Sequence, residues 1–177
     1  MEKSLGRAFI FSFIVVIALS FMFFIIGYSM LGTLDHRFTT ASTHPSYIVL
    51  WVTYPYTWFP WDLVIEVMTR DPSTQAGLII MSIGFIASLV VGAIVAAIFG
   101  GDFSNSLGGW VLTSLICIIS IIVTLFIDNG YNLIWICGSG CELGYGVIYV
   151  IIVGVVNLLI FSGITLLTVL VVGNYGK

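Results

Sequence analysis

The sequence predicts an all-α integral membrane protein: a four-transmembrane-helix bundle with an interfacial aromatic segment and a short amphipathic helix between spans 1 and 2. Three observations carry this. Of 177 residues, 60% are hydrophobic and only 7% charged, and the mean hydropathy is +1.19, far from the roughly quarter-charged composition of soluble domains. Four apolar runs, 8–31, 75–99, 107–127 and 146–172, are each long enough to cross a hydrocarbon core of about 30 Å at about 1.5 Å per helical residue. Finally, a small residue recurs at every fourth position of the second run, at Gly84, Ser88, Gly92, Ala96 and Gly100, with Ala93, Ala97 and Gly101 repeating the spacing beside it.

Residues 1–177 read as one membrane domain. Span 1 follows Lys3 and Arg7 and imitates a secretory signal, with Ala18-Leu19-Ser20 as a cleavage triplet; because the apolar run continues past Ser20, a retained first span is expected. It is rich in Phe, while Ser12, Ser20 and Gly27 fall on one side. The aromatic wall reads as lipid-facing bulk, or alternatively as a groove for a lipid or quinone.

The segment 32–74 is the longest between spans. Tyr47, Trp51, Tyr54, Tyr56, Trp58, Phe59 and Trp61 crowd its middle, interrupted by Pro55 and Pro60, which make a straight span untenable. Trp and Tyr favour the headgroup level, so this run is expected at the membrane surface or against a partner, with Trp51, Trp58 and Trp61 as interface anchors. Asp62, Glu66 and Arg70 then recur every four residues opposite Trp61, Val64, Ile65 and Met68, a short amphipathic helix held by burial of its apolar face. Asp71-Pro72 ends it, and Ser73 or Thr74 is expected to cap span 2.

Span 2 carries the small-residue seam. Residues four apart on a helix lie nearly above one another, so the seam lets a neighbouring helix approach the backbone. In lipid such seams, rather than apolarity, bring helices together. The short turn 100–105 makes spans 2 and 3 antiparallel neighbours. Span 3 has a polar stripe, Thr113, Cys117, Ser120 and Thr124, which Asn157 of span 4 extends. Its hydroxyls are expected to bond back to carbonyls or across to a neighbour, and Asn157, near mid-membrane, to face another element and donate to it.

The loop 128–145 holds Cys137 and Cys141. A local disulfide between them is the leading reading, free thiols the next, and a tetrahedral metal site of His36, His44, Cys137 and Cys141 the last alternative. Lys3, Arg7 and Lys177 outnumber Arg37 and Arg70, which predicts a multi-pass cell-membrane protein with cytoplasmic termini and both loops outside.

With a formal net charge of −3 and no basic patch, nucleic-acid binding is excluded. No Walker loop, Gly-x-Ser-x-Gly, His-Glu-x-x-His or dinucleotide fingerprint occurs, no His lies in a span to ligate haem, and no Asp, Glu, Lys or Arg lies deep in a span. No enzyme and no cofactor are therefore expected. The layout of four spans, a long first loop and a cysteine-bearing second loop resembles that of tetraspan proteins such as claudins. The resemblance covers layout alone, because 32–75 contains no Cys, and it carries no residue roles. The expected function is a non-catalytic integral subunit, partnered by the lipid bilayer and by other integral subunits or copies of itself, in an energy-converting or transport complex. The alternatives are a small oligomeric channel or facilitator lined by the stripe and Asn157, and an accessory that holds a lipid or quinone for a membrane enzyme.

Overall fold

The structure, a computed structural model, describes residues 3–128, 132–134, 136 and 141–175. Among them there is no strand. Four helices are long and apolar enough to cross a membrane: α1 (Leu5–Met30), α5 (Pro72–Gly100), α6 (Phe103–Ile127) and α7 (Leu143–Tyr175). Between α1 and α5 lie α2 (Leu34–Thr43), α3 (Tyr47–Thr53), a single 3-10 turn (Tyr54–Thr57) and α4 (Pro60–Thr69).

Helix ends follow local chemistry. Ser4 caps α1 by accepting the Arg7 N–H at 3.4 Å. Asp71, and not Ser73 or Thr74, caps α5: its carboxylate accepts the Ser73 N–H at 2.9 Å, with Pro72 in the first turn, where a missing N–H costs nothing. Gly101 ends α5 in the left-handed region at φ 80°, which an L side chain adopts only with strain. Asp102 then caps α6 by accepting the Asn105 N–H at 2.8 Å.

The α5 seam is used inside the chain, chiefly against α1, which runs antiparallel to it along its whole length. Gly27 meets Gly77 and Met81 at one end, Ser20 donates to Ser88 at 3.2 Å in the middle, and the Ser4 N–H reaches the Phe99 carbonyl at 3.2 Å at the other end. Gly92 lies against Val16 and Trp110, and Gly100 against Ser106 at the turn into α6. A Cβ at Gly84 would collide with Phe23. The short turn makes α5 and α6 neighbours as the sequence expects, but α1 is the more extensive neighbour of α5, because close approach depends on facing small residues rather than on turn length. On its other side α1 meets α6 through Ala8 and Gly109, and α6 meets α7 through Ile118 and Gly154.

The aromatic segment goes deeper than the surface placement expected for it. Its α3 descends into the bundle, the 3-10 turn forms the tip, Trp58 and Phe59 are extended, and α4 climbs back out. Tyr56 and Trp51 are 0% and 1% exposed. Trp51 stacks on Phe24 with centroids 4.5 Å apart and takes Tyr47 edge-on at 5.4 Å. The Tyr56 hydroxyl lies 3.3 Å from Ser114 Oγ, near the middle of α6. Non-helical backbone is tolerated at such depth only when protein satisfies its polar groups. Asn157, near the middle of α7, does this: its Nδ2 donates to the carbonyls of Pro55 (3.2 Å) and Trp58 (3.0 Å), on either side of the break. Rings that would have shared the interface with water instead fill the bundle, a gain that outweighs interfacial placement once the tip carbonyls have donors.

On α4 the apolar residues Trp61, Val64, Ile65 and Met68 are 48%, 42%, 54% and 80% exposed on the outside of the bundle, while Glu66 and Arg70 turn toward α1 and α5. The sequence expects burial of the apolar face to hold this helix; beside a bundle in lipid, acyl chains cover that face and the polar face turns inward.

Candidate functional site

Because the hairpin of α3, the 3-10 turn and α4 enters the bundle without filling it, it leaves a cavity of about 460 Å³ against α1 and α5. That volume lies within the roughly 300–1,000 Å³ typical of small-molecule sites. Its wall changes character with depth. Near the interhelical loops it carries Thr33, Arg37, Glu66 and Arg70; deeper it carries Tyr54, Trp58, Met81 and Phe85, with Phe24 and Leu78 on the flanking spans.

The charged groups are held in place. Arg70 spans two partners: its Nε and Nη2 lie 3.0 and 2.9 Å from Glu66 Oε1, and Nη1 donates to Gln75 Oε1 at 2.7 Å. The Arg37 Nη1 donates to the Tyr47 hydroxyl at 3.2 Å, and its guanidinium sits 4.5 Å from the centroid of Tyr28. A guanidinium over an aromatic face keeps its charge while losing little to desolvation. A second, shallower depression of about 570 Å³ shares Trp58, Glu66 and Arg70 and adds Asp62 and Asp71. At its rim the Ser73 backbone N–H and then its hydroxyl hold the Asp71 carboxyl below the usual carboxylate range.

The seam residues Gly84, Ser88, Gly92, Ala96 and Gly100 are all buried, so none is left to receive a foreign helix. The stripe residues face different neighbours. Thr113 donates to the Gly109 carbonyl at 3.0 Å and lies 3.2 Å from Ser12 of α1. Cys117 is a buried free thiol. Thr124 bonds back to Ile121 and gives its own carbonyl to Asn132, while Ser120 is half-buried. Asn157 turns to the hairpin tip, so Thr113 and Asn157 do not face a common lumen. Of the three anchors, Trp51 is consumed internally, Trp58 lines the cavity and only Trp61 is exposed.

The metal site does not assemble. His44 pairs with Asp128, tying the start of α3 to the end of α6, and Cys141 is disulfide-bonded, so its sulfur is no thiolate ligand. His36 is exposed, and Cys137, the disulfide partner expected for Cys141, lies outside the described residues. No group of three or more metal-ligating side chains occurs among the described residues.

Sequence reasoning found Glu66, Arg70 and Trp58 but put them on the membrane surface, and it missed Arg37 and Tyr54 as wall residues. The signal was present: two prolines five positions apart, flanked by Trp and Tyr, followed by a helix whose apolar face is too exposed for water but suited to lipid. Comparison with family models, curated proteins and solved structures gives no match.

Proposed function

We propose that the protein is a non-catalytic membrane protein that binds one amphiphilic small molecule in the cavity between the hairpin, α1 and α5, holding it for other membrane components. The observation that carries this reading is the gradient of the wall, from arginines and a glutamate near the loops to Trp58 and Phe85 near mid-bundle. An amphiphile has the same gradient, and few convergent polar groups over an apolar floor are the usual form of a ligand site. With the termini cytoplasmic, on the weight of Lys3, Arg7 and Lys177, the mouth opens to the outer face of the cell membrane.

The test is native mass spectrometry of protein extracted in mild detergent. One small molecule per chain is expected, lost in a Leu78→Trp variant that fills the cavity while retaining the helical circular dichroism of the parent. A chain that flies empty, or a bound mass indifferent to Leu78→Trp, contradicts the reading. A second reading, assembly with integral subunits of an energy-converting or transport complex, rests on the outer face of α4, where Met68 is 80% and Trp61 48% exposed. Stoichiometric foreign subunits in the same spectrum would favour it.

A further inference from the structure

We infer that the ligand is an uncharged amphiphile, a single-chain alcohol or ester, whose oxygen is received by the hydroxyl of Ser82 beneath the charged mouth. The inference rests on the cavity being a ligand site and concerns what that site selects.

The mouth disfavours a charged head because its own charges are already engaged. Arg70 gives Nε and Nη2 to Glu66 and Nη1 to Gln75, while Arg37 donates to the Tyr47 hydroxyl and lies over the Tyr28 ring. Both signs meet there, since the adjoining depression adds Asp62 and Asp71 to Glu66 and Arg70. An anionic head would have to take Arg70 from Glu66 in a mouth that also holds those two aspartates. A cationic head would have to take Glu66 from Arg70, with Arg37 on the same wall. Either exchange leaves one member of a pair uncompensated among apolar and aromatic groups, and desolvation of the incoming ion adds to that cost. A hydroxyl or ester is far cheaper to desolvate, and one hydrogen bond offsets it.

The wall below the mouth offers that hydrogen bond. Ser82 lines the cavity, is 5% exposed, and has no hydrogen-bond partner among the described residues. Ser88 on the same helix does have one, donating to the Phe85 carbonyl at 2.8 Å. Buried hydroxyls are ordinarily satisfied, and a serine hydroxyl can both donate and accept, so the group that completes Ser82 is an uncharged oxygen. At about 1.5 Å per residue Ser82 lies about 10 Å along α5 from Gln75, the partner of Arg70, with Phe85 one turn further on. Leu63, Leu78, Met81 and Phe85 line the cavity with it, which leaves apolar surface for the chain. A volume of about 460 Å³ suits one chain and excludes the body of a diacyl lipid. Such a molecule binds without breaking any pair at the mouth.

Five decyl probes are titrated into purified protein in nanodiscs, each affinity taken relative to partition into protein-free nanodiscs: decane, decanol, monodecanoylglycerol, decanesulfonate and decyltrimethylammonium. The better of decanol and monodecanoylglycerol should bind about tenfold or more tighter than either ion. Ser82→Ala should weaken that probe by about threefold to tenfold, to the level of decane, and leave decane itself unchanged, which separates a lost hydrogen bond from a disturbed cavity. Either ion binding as tightly as the better uncharged probe overturns the inference and leaves an amphiphile site standing. Decane binding as tightly as decanol and monodecanoylglycerol, or a Ser82→Ala variant that binds them as the parent does, also overturns the inference and leaves the site standing. Binding of none of the five beyond partition overturns both this inference and the proposed function.

Discussion

Two regions of the same bundle solve the problem of polar backbone in lipid in opposite ways. Along the α1–α5 seam, which on α5 begins just past a kink at Gln75, both helices run on continuously, and contact is made by removing side chains: Gly27 against Gly77, Gly84 under Phe23, Gly92 under Val16. The hairpin breaks its helix at Pro55 and Pro60 and must borrow donors, which Asn157 supplies from α7. The seam is thereby close-packed. The hairpin brings Glu66, Arg70, Tyr54 and Trp58 to the cavity and leaves space beside them. Broken backbone among the spans is thus where this chain gathers Glu66, Arg70, Tyr54 and Trp58, and the continuous helices are what hold that break at depth.

The comparison can be broken most severely at the seam. A Cβ at Gly77 would strike the Gly27 carbonyl, a backbone atom that no rotamer change can move. Gly77→Leu should therefore separate α1 from α5 and cost about 3 kcal/mol, the upper part of the range for overpacking. Thermal unfolding in detergent would show this as a fall of about 6–12 °C. A variant as stable as the parent would mean that the close approach is not what holds the pair.

At the hairpin the effect should be smaller and more local. Asn157→Leu strips both tip carbonyls of their donor, for an expected loss of about 2 kcal/mol. Its signature is faster amide exchange across Tyr54–Phe59 with the seam unchanged, measured peptide by peptide. Uniform loss of protection throughout the chain would mean that the tip and the seam form one cooperative unit.

How much of this was legible follows from the same contrast. The four spans were readable to within about four residues at each end, because length and hydropathy are sufficient for continuous helices: 75–99 against Pro72–Gly100, 107–127 against Phe103–Ile127. The seam's existence was readable from the recurrence of small residues, but its partner was not, since nothing in the α5 sequence distinguishes α1 from a foreign helix. The hairpin was misplaced for a physical reason. Tyr47–Trp61 has the composition of an interfacial belt, and the donor that satisfies two of its tip carbonyls is the amide of Asn157, roughly a hundred residues along the chain. That Asn157 would face and donate to another element was legible; which element was not. The cap of α5 is ambiguous in sequence, because Asp71, Ser73 and Thr74 are all capping residue types and Asp71-Pro72 also ends the preceding helix.

The mildest perturbation lies within the seam. Ser20→Ala removes the Ser20–Ser88 hydrogen bond while Ser88 keeps its 2.8 Å bond to the Phe85 carbonyl. The expected cost is about 0.6 kcal/mol, the average for interhelical hydrogen bonds in membranes, read by equilibrium unfolding. A cost near that of Asn157→Leu would erase the distinction between a seam held by packing and a hairpin held by hydrogen bonds. At the junction of the two regions, Asp71 contributes in a direction fixed by its depressed folded-state carboxyl. Its stabilisation is present above the unfolded-state carboxylate range and is lost as pH falls through the lower folded value. Asp71→Asn should therefore lower stability at neutral pH and flatten that part of the acid limb, the two proteins converging as pH falls through the folded value.

The submerged hairpin is most directly tested by hydrogen exchange of Tyr54–Phe59 in lipid nanodiscs at neutral pH. Protection comparable to that of mid-α6 around Ser114, lost in Asn157→Leu, is the predicted result. Exchange at the rate of a surface loop, unaffected by Asn157→Leu, would place the aromatic segment at the headgroups and remove the cavity with it.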